Sequence, residues 1–92
     1  MQSTSDNLTY FIGDWSAADR RRVRRAVKDF ETQWRASSDR SSTIDDAFWV
    51  VVQESPWWGP YYFAHRLGTR DSLTGRSADE LASVIEESAQ EL

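Results

Sequence analysis

The chain has 92 residues, 39% hydrophobic and 28% charged, with a formal net charge of −4 and no cysteine. That length makes one domain with one modest core, which excludes a deep substrate cavity with its own walls. The acidic balance gives no overall attraction to nucleic acid or an anionic membrane, and the lack of cysteine excludes disulfides, thiolate catalysis and cysteine–zinc sites.

Residues 1–8 are mostly small and polar and read as a flexible tail, without the apolar stretch of a secretory leader. No apolar run approaches the roughly 20 residues of a bilayer span, so a cytoplasmic location is expected. Residues 9–92 then form a single α+β domain. Thr9-Tyr10-Phe11-Ile12, aromatic and β-branched and stopped by Gly13, predicts a short strand.

Ser16 and Asp19 mark a helix start, the serine as cap and the acid in the first turn. Val23, Ala26, Val27, Phe30 and Trp34 recur at three- and four-residue steps, which predicts a helix over 17–36 with one apolar stripe. Glu31 stands in the favoured i,i+4 order with Arg35 and is expected to pair with it. Residues 37–43 carry no apolar period and read as a flexible connection.

Phe48 to Gln53 is β-branched and aromatic on both alternating faces and predicts a strand. A helix beginning near Thr43 competes, and the three consecutive valines decide for the strand. Pro56-Trp57-Trp58-Gly59-Pro60 predicts a hairpin loop, and 61–66 the return strand. Trp57-Trp58-Gly59 matches the W-x-G turn of small secreted helical-hairpin proteins in those three positions alone. The flanking strands and the two prolines set it apart.

Residues 67–76 read as a loop. Ser77-Ala78-Asp79-Glu80 is a capping box, and Leu81, Val84, Ile85, Ser88 and Leu92 behind it form one apolar face. The expected fold is thus a small antiparallel sheet of two or three strands, order β-α-β-β-α. Two amphipathic helices pack on one face of it.

The hairpin register expected from the turn pairs Glu54 with Tyr61, Val52 with Phe63 and Val50 with His65. Phe48, Val50, Val52 and Phe63 would then face the helices. Trp49, Val51, Gln53, Tyr62, Ala64 and Arg66 would form an exposed aromatic patch, a composition suited to protein contacts. A slip of one residue would exchange the two sides. The candidate protein-binding residues are Trp49, Trp57, Trp58, Tyr62 and Arg66.

A second candidate is the basic side of the first helix: Arg21, Arg24, Arg25, Lys28 and Arg35 could track phosphates. The last helix is acidic outside. The two helices could therefore meet across two copies or lie side by side in one. Arg66, Arg70 and Arg76 flank the start of the last helix, where Ser77 already satisfies part of the helix end. His65 is the sole histidine, and no spacing suggests a triad or a metal set. Neither catalysis nor a cofactor is expected.

The function expected is a small non-enzymatic interaction module, acting as regulator, adaptor or inhibitor of another protein, or pairing with itself as a homodimer. The alternative is nucleic-acid binding through the first helix.

Overall fold

Six elements form in the order β1 (Thr9–Ile12), α1 (Ala17–Ala36), β2 (Trp49–Glu54), β3 (Tyr61–Arg66), β4 (Ser72–Gly75) and α2 (Ala78–Gln90). The structure, a computed structural model, describes residues 9–36, 49–67 and 72–91. The tail expected at 1–8, the connection at 37–43, the competing helix start near Thr43, and Phe48 lie outside those residues.

Both helix starts are built as their sequences require. The Ser16 hydroxyl accepts from the Asp19 N–H at 3.1 Å, and the Ser77 hydroxyl from the Glu80 N–H at 3.0 Å. The Glu80 carboxylate reaches one residue further back than in a standard capping box, to the Arg76 N–H at 3.0 Å. Each bond satisfies a donor that a helix end or its lead-in leaves open.

The strands form one sheet in the order β1-β2-β3-β4. β1 runs parallel to β2, with α1 as the crossover between them, while β2–β3 and β3–β4 are antiparallel. The sheet is therefore mixed and four-stranded, where two or three antiparallel strands were expected. The additional strand is β4, inside the segment read as a loop. It is four residues long with a single large apolar side chain, Leu73, so its own sequence carries little strand signal. Pairing with β3 defines it.

The hairpin register is the expected one: Glu54 opposite Tyr61, Val52 opposite Phe63, Val50 opposite His65. The two sides are exchanged all the same. Trp49, Val51 and Ala64 join Val23, Ala26, Val27 and Phe30 of α1 and Leu81, Ala82 and Ile85 of α2 in one buried cluster. Both helices thus cover the side that was expected to be open. The small residues Ala26, Ala64 and Ala82, all fully buried, let the two layers approach. In α2 the buried stripe runs through Ala78, Leu81, Ala82, Ile85 and Ala89. Val84 and Ser88 are half-buried at its margin.

Two close approaches fix the layers. Gly13 has φ +108°, and a Cβ there would collide with the Gln53 backbone oxygen. Only glycine fits both constraints. The Gln53 side-chain oxygen also accepts from the Asp14 N–H at 3.1 Å, tying this turn to β2. At Gly75 an added Cβ would meet the Leu81 backbone nitrogen at 2.7 Å, so the first turn of α2 rests directly on β4.

Trp15, between β1 and α1, is 6% exposed. Its indole N–H donates to the Ile12 carbonyl at 2.9 Å, and its ring stands edge-on to Phe11 and Tyr62 at 4.9 and 5.2 Å. No helix among the described residues is long and apolar enough to cross a membrane.

Candidate protein-binding face

Strand alternation follows from the pleat, so each residue buried against the helices leaves its neighbours on the opposite side. That side carries Tyr10 and Ile12 from β1, Val50 and Val52 from β2, Tyr61, Phe63 and His65 from β3, and Thr74 from β4. No described helix lies over it. Tyr10 is 56% and Ile12 44% exposed. Val52 reaches only 9%. Among the described strand residues of this face, Glu54 at one end is the sole carboxylate, and no lysine or arginine is present.

The hairpin loop extends the face. The Gly59 N–H donates to the Pro56 carbonyl at 3.0 Å, closing a four-residue turn with Trp57 and Trp58 at its centre. Gly59 has φ +126°, the left-handed value that lets the chain turn back into β3. Trp57 is 95% exposed and Trp58 57%. The Trp58 ring stands edge-on to Tyr61 at 5.5 Å, and Tyr61 lies 6.1 Å from Phe63. A continuous run of rings therefore leads from the turn onto the middle of the face. Beside it, Trp58, Tyr61, Thr74, Gly75, Arg76 and Glu80 line an open cleft of about 340 Å³.

The five residues expected to bind a protein are divided by this arrangement. Trp57 and Trp58 are at the surface. Trp49 is 2% exposed, edge-on to Phe30 at 5.3 Å, and its indole N–H donates to Glu31 Oε2 at 2.8 Å. Arg66 is buried in an ion pair with Glu31, and its guanidinium carbon sits 4.5 Å from the Trp34 ring centre. Tyr62 is half-buried against Trp15. Trp49 and Arg66 are core residues here, and Tyr62 faces the core. Their surface role was expected because Phe48, Val50, Val52 and Phe63 were assigned to the helix-facing side. Glu31 on α1 supplies the partner that makes burial of Arg66 tolerable.

The residues missed by sequence reasoning are Tyr10, Ile12 and Phe63. Tyr10 and Ile12 were legible as alternate positions of β1. Their side of the sheet follows only once β1 is known to pair with β2.

On α1, Arg21, Arg25 and Lys28 are exposed. Arg24 is half-buried with its guanidinium 5.1 Å from the Phe11 ring centre. The Arg35 side chain lies outside the description. Arg22 bridges the helices: it donates to Asp79 at 2.9 Å and to Glu86 at 2.8 Å. The Glu86 hydrogen bond, opposed by partial burial and reinforced by Asp79, holds Arg22 above the ordinary arginine range. The opposite charges of the two helices thus act within one copy.

Among the described residues no group of three or more histidines, aspartates or glutamates is placed to hold a metal ion. Comparison with known proteins finds no matching family model, no matching curated protein and no matching solved structure.

Proposed function

We propose that this chain is a non-enzymatic protein-interaction module whose contact surface is the helix-free face of the sheet with the Trp57–Trp58 turn at its end. The observation that carries this is the exposure of Trp57 and Trp58, 95% and 57%, on a hydrogen-bonded turn. Tryptophan offers a large apolar area at low entropy cost, and an exposed pair beside further rings is the make-up of binding hot spots. The sheet behind it supplies a flat apolar surround that excludes water.

The alternative, nucleic acid held along α1, rests on Arg21, Arg25 and Lys28. Single-strand binders interleave cations with stacking rings. In this protein the exposed cations of α1 lie on a different layer from Trp57 and Trp58, and Arg76 is the one exposed cation among the described residues that shares a cleft with Trp58 and Tyr61, which favours a protein partner over nucleic acid along α1. Salt separates the two: phosphate binding weakens steeply with ionic strength, while aromatic docking does not.

The test is photo-cross-linking in extract of the native cell, with the reactive group placed in turn at positions 57, 63, 25 and 28. Defined adducts from 57 and 63 and none from 25 and 28 are expected. The reverse pattern would move the contact surface to α1.

A further inference from the structure

We infer that the cleft beside the Trp57–Trp58 turn is a binding site for a free aromatic α-amino acid, held as its zwitterion. This goes beyond the protein-contact reading and is tested apart from it.

The cleft is about 340 Å³ and is lined by Trp58, Tyr61, Thr74, Gly75, Arg76 and Glu80. That is the small end of ligand pockets, which run from about 300 to about 1,000 Å³, so it suits one small molecule. Two of its walls are rings. Trp58 and Tyr61 stand 5.5 Å apart at 68° and form a corner. A third ring entering the corner can stack on one wall and meet the other edge-on, and both arrangements are favourable. Among the described residues no cation covers either ring.

Charge selects the rest of the ligand. Arg76 and Glu80 are both exposed, and both line the cleft. Among the described residues, ion pairs join Arg22 to Asp79 and Glu86, and Arg66 to Glu31, and none joins Arg76 to Glu80. Opposite charges therefore share one cleft without neutralising each other. The reason is local. Glu80 Oε1 accepts from the Arg76 backbone N–H at 3.0 Å, which holds the carboxylate against the main chain. A carboxylate has lone pairs to spare for a second donor.

A phosphate or other dianion would meet the like charge of Glu80, and a simple cation would meet that of Arg76. A ligand with one carboxylate and one ammonium satisfies both. Its carboxylate accepts from the guanidinium, and its ammonium donates to Glu80. Joined to a flat apolar ring, those two groups make an aromatic α-amino acid. The end of a peptide chain carries only one of the two charges, which sets the free amino acid apart from a terminus.

The test is a titration of the isotope-labelled full chain with L-phenylalanine, followed by nuclear magnetic resonance. The Trp58 indole N–H and the Gly75 and Arg76 amides are expected to shift saturably, with a dissociation constant on the order of 0.1–1 mM for a ligand this small. The Trp49 indole, in the core, should not move. 3-Phenylpropionate lacks the ammonium, phenethylamine the carboxylate and L-alanine the ring, and each should bind about 10-fold more weakly. N-acetylphenylalanine and phenylalanine amide stand for the two chain ends and should be weakened alike. Glu80→Gln removes the charge but keeps an acceptor for the Arg76 N–H, and Arg76→Gln changes an exposed side chain. Both should fold as the wild type does and bind L-phenylalanine about 10-fold more weakly.

A wild type without saturable shifts overturns the site. So does a folded Arg76→Gln or Glu80→Gln variant that binds as tightly as the wild type, or a one-charge probe that equals L-phenylalanine. Neither result bears on the cross-links from 57 and 63, so the two readings fail separately.

Discussion

Glu31 on α1 and Arg66 on β3 meet inside the protein: Arg66 Nε donates to Glu31 Oε2 at 2.6 Å and Nη2 to Oε1 at 3.1 Å. Glu31 is 3% and Arg66 8% exposed. This fork fixes which side of the sheet faces the helices, because the reverse packing would separate the two charges and leave Trp49 without its acceptor. Removing one partner strands the other. Arg66→Met is therefore expected to cost about 3–5 kcal/mol, measured by urea unfolding. Glu31→Gln combined with Arg66→Met keeps an acceptor for the Trp49 indole N–H and removes the stranded charge, so it should recover part of that loss, and a double variant as unstable as the single would show that the stranded Glu31 charge is not the source of the loss.

The tryptophans should separate by stability. Trp49→Ala opens a cavity in the core and is expected to cost about 3–5 kcal/mol. Trp57→Ala removes a ring that touches little and should change stability by less than about 0.5 kcal/mol. Trp57→Ala with Trp58→Ala should keep the fold while binding to the cross-linked partner weakens. Thermal melts of the three variants check this, and unfolding of the 57/58 pair would assign those rings to the core.

Two glycines differ in the physics that requires them. An added Cβ at Gly59 meets nothing within 4 Å, so Gly59→Ala carries the left-handed backbone cost alone, about 1–2 kcal/mol. At Gly75 the methyl group would press on the backbone of Leu81. Gly75→Ala should push α2 off β4 and cost more than Gly59→Ala. Equal losses in denaturant titrations would contradict the close approach of α2 to β4.

Arg22 clamps α1 to α2 through Glu86 and Asp79. The pair is partly exposed, so Arg22→Met should cost about 1 kcal/mol, and less at high salt. The sign of its pH dependence follows from the raised pKa. The contribution is complete below the ordinary arginine range and is lost only as pH rises through the raised value. The stability difference between wild type and Arg22→Met should therefore hold constant from about pH 7 to about pH 10. A decline across that window would mean that another group controls the clamp.

Much of the fold was legible because its signals are local. Ser16 and Ser77 cap their helices, the 23–34 stripe faces inward, and the Pro56–Pro60 turn sets the hairpin register. What was not legible depends on distant partners. β4 exists because β3 lies beside it. The parallel pairing of β1 could have been inferred from the strand–helix–strand order, which commonly brings such strands together. The side of the sheet was misassigned because β2 is apolar on both faces, so its own sequence does not say which face the helices cover. Glu31 held the missing signal: it lies four residues after Val27 and three before Trp34, inside the apolar stripe. Its i,i+4 spacing to Arg35 suggested a local partner, while the buried partner in the fold is Arg66. Of the candidate site, the Trp57–Trp58 turn was readable from its prolines and glycine. Tyr10 and Phe63 were not, since their exposure depends on which layer the helices choose.

The most direct measurement is hydroxyl-radical footprinting of the labelled chain, in dilute buffer and again in concentrated extract of its own cells. Oxidation of Tyr10, Trp57, Trp58 and Phe63 should fall in the extract, while Arg25 and Lys28 on α1 react at unchanged rates. Undiminished oxidation of those rings, with protection on α1 instead, would contradict the assignment of the sheet face as the contact surface.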